Sequence, residues 1–504
     1  MTRFILAITI LLPALTRGDD RFAGLDPYVA AAMRRWEVPG VALAIVKDGD
    51  LVLARGYGVC ELGTSRQVTA DTCFPIASCN KAFTAASIAL LVDQGKLHWD
   101  DPVAKHLPGF ELADPYLTSH VTLRDLLTHR TGLQRGDDVF SNPTNLSRQQ
   151  FLARVKHLAP LAELRTKYIY SSAMYAVAGQ AVEHVSGRNW DEYLAEQFFQ
   201  PLNMRSTTVG AAGIDPARLA LRHWRSDAGI VSRPADSRVL GESGGIFSTV
   251  NDMAHWVQLQ LSLGQYAGRR LLSEKSVREM HAMQFSVPIT TRPPDNIYAA
   301  RFFGPGLGWN VLDYRGHKVV RHGGAWGASV TMIPEENLGV VVLSNIDIEG
   351  IAGMLSYDVL DAYLVGPHLA WDQTKWESTW LTHEGPGYPY RPRDEAKAKL
   401  EQARMLGTKP SHPLNHYAGV YHSNLYGDLV IAHRDGGLAA TFDDYTTPAS
   451  HWQDDSFYVR GPTRITYDWL LTFAPSAANQ PASVTVKHVG WEKDEPDQVF
   501  LRIP

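Results

Sequence analysis

Residues 41 to 60, VALAIVKDGDLVLARGYGVC, alternate apolar and polar positions around a KDGD turn, the pattern of a two-stranded hairpin. After Phe74 and Pro75 the period changes. Ala82, Phe83, Ala86, Leu90 and Leu91 recur at helical spacing, and Gly95 supplies the stop. SHVTLRDLLTHRTGL, residues 119 to 133, predicts a short capped helix ending in a turn. Residues 173 to 186 predict another, closed by Gly187, and STVNDMAHWVQLQLSLG (248 to 264) a third, opened by a Ser/Thr cap and closed by Gly264. Alternation returns in HKVVRHGG, ASVTMIPEEN and LGVVVLSN, about 317 to 345, as a three-stranded meander with turns at GGAWG and PEENLG. Strands, then helices, then strands that complete one sheet make an α+β layout, helices packed on an antiparallel sheet.

The pattern breaks after about residue 370. Residues 371–411 are rich in Pro, Gly and charge with one short helical patch and read as a linker. Residues 412–504 return to short strands and turns, a small β-barrel or sandwich. At the other end, MTRFILAITILLPALTRGDD has the layout of a secretory signal peptide over residues 1–18, leaving 19–370 as the main domain. Its apolar run is short for a membrane span, and no later segment is apolar enough for one.

Composition adds exclusions. The 504 residues, 45% hydrophobic and 20% charged, are ordinary globular material that can bury a large core. A net charge of -5 offers no basic footprint for nucleic acid. Of the three cysteines, Cys60 and Cys73 flank a polar loop and could pair, while Cys79 reads as a small buried filler. His98, His106 and His120 lack zinc-like spacing, and no glycine-rich phosphate loop opens a helix, so neither metal nor cofactor is expected. His129 in THRTGL reads as a structural turn residue.

The candidate chemistry begins at the predicted helix start, where Ser78 and Lys81 stand three apart on one helix face. Alone, such a pair is commonly an N-cap with a snorkelling lysine. A serine hydroxyl is a poor nucleophile until a base takes its proton, so a functional reading needs partners. Tyr170, before Ser171 and Ser172 at another helix start, offers a phenol oxygen. His322 ends an apolar strand, and Gly323 and Gly324 allow another backbone to come close. The Ala325 N–H could then join that of Ser78 in an oxyanion hole.

Together these stretches resemble the serine β-lactamase and penicillin-binding protein superfamily, nearest its class C, D-aminopeptidase and esterase branch. That branch carries Ser-x-x-Lys, then Tyr-x-Asn, then Lys-Thr-Gly or His-x-Gly. This chain has Ser78-Cys79-Asn80-Lys81, Tyr170-Ser171-Ser172 and His322-Gly323-Gly324 in the same order. Segments 95 to 110, 121 to 133, 201 to 210, 244 to 256 and 339 to 345 look like the family's connecting segments, and the tail resembles the lipocalin-like barrel of some members. The resemblance implies a β-lactamase/transpeptidase-like fold, with an antiparallel sheet flanked by helices beside an all-helical region. Ser78 would be the acylated nucleophile, with Lys81 and Tyr170 sharing proton transfer. Ser78 and Ala325 N–H groups would hold the oxyanion, while Ser172, His322, Gly323 and Gly324 would face the substrate.

Two positions depart from the family. Ser172 replaces the usual Asn and offers one donor where an amide has two. His322 replaces the lysine of β-lactamases, and a largely neutral imidazole suits a substrate carboxylate less well. The expectation is therefore a secreted serine hydrolase acting on an ester, amide or short peptide, with weak or absent β-lactamase activity. Two alternatives stay open: acyl transfer to an alcohol or amine, and a penicillin-recognising or structural homologue without turnover. Neither the barrel's role nor the oligomeric state is legible.

Overall fold

The computed structural model describes residues 20–136, 146–226, 229–233, 241–289, 299–346, 350–373, 391–442, 445–461, 468–474, 480–489 and 496–503. The expected signal peptide and residues 374–390 of the expected linker lie outside them.

Strand β1 (Gly40–Lys47) is buried at every position but the last. The expected alternation does not hold here: a strand facing water on one side would alternate, whereas the apolar run Val41–Val46 is continuous and covered on both faces. It pairs antiparallel with β2 (Asp50–Gly58), completing the predicted hairpin. The strands β3 (Phe303–Pro305), β4 (Asn310–Tyr314), β5 (His317–Gly324), β6 (Ala328–Ile333) and β7 (Leu338–Ser344) follow late in the chain. The sheet order is β3-β4-β5-β6-β7-β1-β2, so the predicted meander joins the N-terminal hairpin through β7–β1, from Val41 opposite Ser344 to Lys47 opposite Leu338.

This sheet divides two cores. Val41, Leu43 and Ile45 point to one side, against Leu25, Val29 and Trp36 of helix α1 (Leu25–Trp36) and Ile351, Leu355 and Val359 of a late helix (Gly350–Leu364). Ala42, Ala44 and Val46 point to the other, the side of α2 (Lys81–Asp93), α3 (Ser172–Ser186) and α4 (Val250–Leu261). There Phe83 of α2 stacks on Trp256 of α4 with ring centroids 3.8 Å apart. Burying one Leu such as Leu43 contributes roughly 1.5–3 kcal/mol. The change of period in the sequence thus marks the passage from the sheet to the helices that share the core on one of its faces.

Beyond it, the eight strands Gly419–Ser423 (β8), Gly427–Arg434 (β9), Gly437–Phe442 (β10), Tyr445–Gln453 (β11), Ser456–Val459 (β12), Asp468–Phe473 (β13), Ser483–Val489 (β14) and Gln498–Ile503 (β15) form a closed barrel in chain order. Closure is made by β15 on β8, with Val420 opposite Ile503. The interior is filled by Tyr417, Tyr421, Phe457, Trp469, Phe473 and Phe500, so the barrel is a packed core rather than a cup. Part of the stretch read as a linker is a helix, Arg391–Ala403, whose Ala396 and Leu400 pack on Trp452, Tyr458 and Val489 of the barrel.

The suggested Cys60–Cys73 pairing is not present: all three cysteines are free and buried. The Cys60 thiol donates to the Gln67 carbonyl at 3.4 Å and that of Cys73 to the Ser206 carbonyl at 3.6 Å, so each has its own partner. Among the described residues no helix is long and apolar enough to cross a membrane.

Candidate active site

The chain enters the site through Ala77, a non-glycine residue at φ 45°. That left-handed backbone costs on the order of 1–3 kcal/mol and persists only where the surroundings hold it. Here the end of β5 does so. A Cβ added to Gly324 would lie 2.5 Å from the Ile76 carbonyl oxygen and 3.1 Å from the Ser78 nitrogen. The expected α-helix beginning at Ser78 is accordingly a tight 3-10 turn over Ala77–Asn80, and the α-helix proper starts at Lys81. Two side chains pin this start to the turn at 241–244: Asn80 Nδ2 donates to the Gly241 carbonyl at 2.9 Å and Thr84 Oγ1 to the Glu242 carbonyl at 2.6 Å.

Lys81 is fully buried. Its Nζ donates to Ser78 Oγ at 3.0 Å and to Ser172 Oγ at 3.3 Å. The same ammonium lies 4.9 Å from the ring centre of Tyr170 and 5.5 Å from that of Tyr175, within cation–π range. The Tyr170 hydroxyl donates to Ser78 Oγ at 2.9 Å. One serine oxygen therefore meets both an amine and a phenol.

Tyr170 is held from beneath. Ser171 occupies the N-cap position of α3 but makes no cap. Its Oγ donates instead to the Arg135 carbonyl at 2.9 Å, and its N–H donates to His129 Nδ1 at 3.1 Å. The His129 ring sits 4.3 Å from that of Tyr170. Burial, then the charge of Lys81, pushes this imidazole well below its ordinary pKa, which keeps Nδ1 free to accept. His129 is thus the structural residue expected, and what it structures is the Tyr170 segment. Tyr175 was not singled out in the sequence. One turn along α3, its hydroxyl donates to the Leu127 carbonyl at 2.6 Å and accepts the Gly308 N–H at 3.1 Å. An aromatic on an otherwise alanine-rich helix face was the signal available.

On the sheet side, His322 is buried and its Nδ1 lies 2.6 Å from the Gly323 carbonyl, so Nδ1 carries the proton and Nε2 the lone pair. Burial first, and the Lys81 charge second, push it down to about 3. The imidazole is neutral throughout the physiological range. The Cys79 thiol, buried as expected, donates to the His322 carbonyl at 3.2 Å and ties β5 to the serine turn. Ala325 follows Gly324 in an exposed turn. The structure thus gathers Ser78, Lys81, Tyr170 and Ser172 in one hydrogen-bonded group and seats Gly324 on the Ser78 backbone. Among the described residues no cluster of His, Cys, Asp or Glu could hold a metal ion.

Residues 25–363 match the family model described as Beta-lactamase. The chain belongs to the Beta-lactamase family. Residues 403–500 match a Domain of unknown function, DUF3471, which covers most of the barrel. Among relatives of this Beta-lactamase-family hydrolase, the unguisins hydrolase ungD of Aspergillus violaceofuscus (strain CBS 115571) is 28% identical over 508 residues, 92% of this chain and 87% of that protein. Penicillin-binding protein 4 of Amycolatopsis lactamdurans is 30% identical over 61% of this chain and 81% of its own. Two solved structures share the fold. The octameric penicillin-binding protein homologue from Pyrococcus abyssi has a TM-score of 0.60 at 21% identity, covering 95% of this chain and 99% of that one. EstCE1, a hydrolase with promiscuous acyltransferase activity, has a TM-score of 0.57 at 21% identity, covering 70% and 98%.

Proposed function

We propose that the protein is an exported serine hydrolase that cleaves an ester, amide or short-peptide bond through an acyl-enzyme at Ser78. The observation that carries this is the double contact of Ser78 Oγ, 3.0 Å from Lys81 Nζ and 2.9 Å from the Tyr170 hydroxyl. Both distances lie within the reach that proton transfer requires.

The acylation step starts with one member of the pair deprotonated, as the neutral Lys81 amine or the Tyr170 phenolate; it takes the Ser78 hydroxyl proton while Oγ bonds to the substrate carbonyl carbon. The carbonyl oxygen takes the negative charge and is held by the N–H groups of Ser78 and Ala325. When the carbonyl re-forms, the bond to the leaving alcohol or amine breaks, and the stored proton goes to the leaving group. Water then repeats the sequence: it loses a proton to the same pair, attacks the acyl carbon, and returns the proton to Ser78 Oγ. The relative named as a hydrolase, similar over nearly the whole chain, supports water as the acceptor.

The neutral, buried His322 supplies no cation for a substrate carboxylate, which favours esters, amides and peptides over penicillins. Acyl transfer to an alcohol or amine is the second reading, supported by the fold shared with EstCE1. A fluorophosphonate probe should label the wild type and leave Ser78→Ala unlabelled; equal labelling would overturn the assignment. A panel of p-nitrophenyl esters, D-amino-acid amides and nitrocefin, with and without a competing alcohol, should show nitrocefin slowest and the free acid as main product. Ester product with the alcohol as the main species would move the conclusion to acyl transfer.

A further inference from the structure

The barrel touches the catalytic domain through the turn between β8 and β9. Leu425 is buried in the core shared with α2 and α3, and Tyr426 packs against both that core and the barrel's own. Arg154 Nη1 donates to the Tyr426 carbonyl at 3.3 Å. Its guanidinium lies so close to Gly427 that an added Cβ would stand 2.6 Å from Nη2. The turn is therefore clamped to the catalytic domain at its backbone.

Its side chain reaches further. Gln134, fully buried, donates from Nε2 to the Tyr426 hydroxyl at 3.3 Å. The Gln134 backbone N–H and side-chain Oε1 are each tied to Ala159, at 2.9 Å. The next residue, Arg135, offers its carbonyl to Ser171 Oγ at 2.9 Å and its guanidinium to the face of Tyr170 at 5.2 Å. Ser171 stands between Tyr170 and Ser172, which bond to Ser78 and Lys81 respectively. Gln134 and Arg135 belong to no helix or strand; the neighbouring Leu133 makes only an isolated bridge to Pro160. Loop and side-chain hydrogen bonds and packing, rather than a helix or sheet ladder, fix their position.

We propose that Tyr426 of the barrel is a positioning residue for the reaction. Through Gln134 and the Arg135 carbonyl it sets where Ser171, and so the Tyr170 hydroxyl, stands relative to Ser78. The inference rests on the proposed role of Tyr170 and adds to it that the barrel completes the site from a distance. A displacement of about 1 Å in a reacting group costs on the order of a hundredfold in rate, so a modest shift of the 134–135 segment is enough to matter.

The test uses the full-length protein as wild type, Tyr426→Phe and Tyr426→Ala. Measured are kcat and KM on a p-nitrophenyl ester and the rate of fluorophosphonate labelling at Ser78. Tyr426→Phe loses one hydrogen bond and should lower kcat and the labelling rate together by about two- to tenfold. Tyr426→Ala should lower both on the order of a hundredfold. KM should stay within about twofold in each, as for a group acting only on the transition state. If Tyr426→Ala fails to fold, Tyr426→Phe alone decides. Unchanged kcat and labelling in the folded variants overturn the inference, and so does a rise in KM at constant kcat, which would make the turn a substrate wall. Labelling of wild type and Ser78→Ala alike would instead sink the acyl-enzyme reading itself, and this inference with it.

Discussion

His322 gives a measurable signature of the site's electrostatics. Its imidazole is 5% exposed and is pushed from an ordinary 6.5 down to about 3 by burial and by Lys81. The folded protein therefore keeps the ring neutral, while the unfolded chain takes up a proton below 6.5. The unfolded state binds more protons across this window, so stability is fully present above 6.5 and falls as pH drops toward 3. At about 1.4 kcal/mol per unit, the whole window is worth roughly 5 kcal/mol, and the part between 6.5 and about pH 5 roughly 2 kcal/mol. Such deep burial calls for no discount for solvent screening. The perturbation is His322→Gln, which removes the titration. Urea unfolding of the catalytic domain, followed by tryptophan fluorescence at about pH 7 and about pH 5, should show wild type losing roughly 2 kcal/mol more than the variant. Packing lost in the variant enters at both pH values and cancels. His223, His281 and His488, also pushed down by burial, are present in both proteins and cancel too, as does the burial part of the His129 shift; only the smaller contribution that His322 makes to His129 goes with the substitution. Equal pH dependence in the two proteins would refute a neutral, desolvated His322. The argument that His322 supplies no cation for a substrate carboxylate would then fall.

Tyr170→Phe removes the hydroxyl 2.9 Å from Ser78 Oγ while keeping the ring against His129; kcat/KM on a p-nitrophenyl ester should drop by about 10²–10⁴, and a drop under about threefold would remove the phenol from proton transfer. Gly324→Ala would drive a methyl into the Ile76 carbonyl, 2.5 Å away, and push β5 off the serine turn. It should cost about 10²–10³ in kcat with ester KM little changed, as for a lost oxyanion donor, and near-wild-type kcat would show that this approach does not shape the oxyanion site.

The elements that gather the candidate site were legible because each has its own local signal. Lys81 stands out as a lysine in an apolar helix, Gly187 marks the end of α3, and Gly323 and Gly324 mark a strand that another backbone approaches. The meander of β5, β6 and β7 and the N-terminal hairpin read in the sequence as strands completing one sheet; that β6, β7 and β1 are covered on both faces, and that β7 pairs with β1, emerges only in the fold. What was missed depends on tertiary packing. Ser171 looks like an N-cap in sequence, yet the Arg135 carbonyl and His129 claim its hydroxyl and N–H. The helical patch in the stretch read as a linker is the helix Arg391–Ala403, but its packing on the barrel through Ala396 and Leu400 leaves no signal in so polar a segment. The bond between Gln134 and Tyr426 joins residues 292 positions apart and leaves no periodic trace.

The barrel's seam lies between its first strand and its last: β8, which leads into the Tyr426 turn, is closed only by β15, Gln498–Ile503. Until β15 pairs, β8 and β14 each present an open edge. A protein without residues 498–503 would keep every group of the candidate serine centre and leave the barrel open beside the strand that leads into the Tyr426 turn.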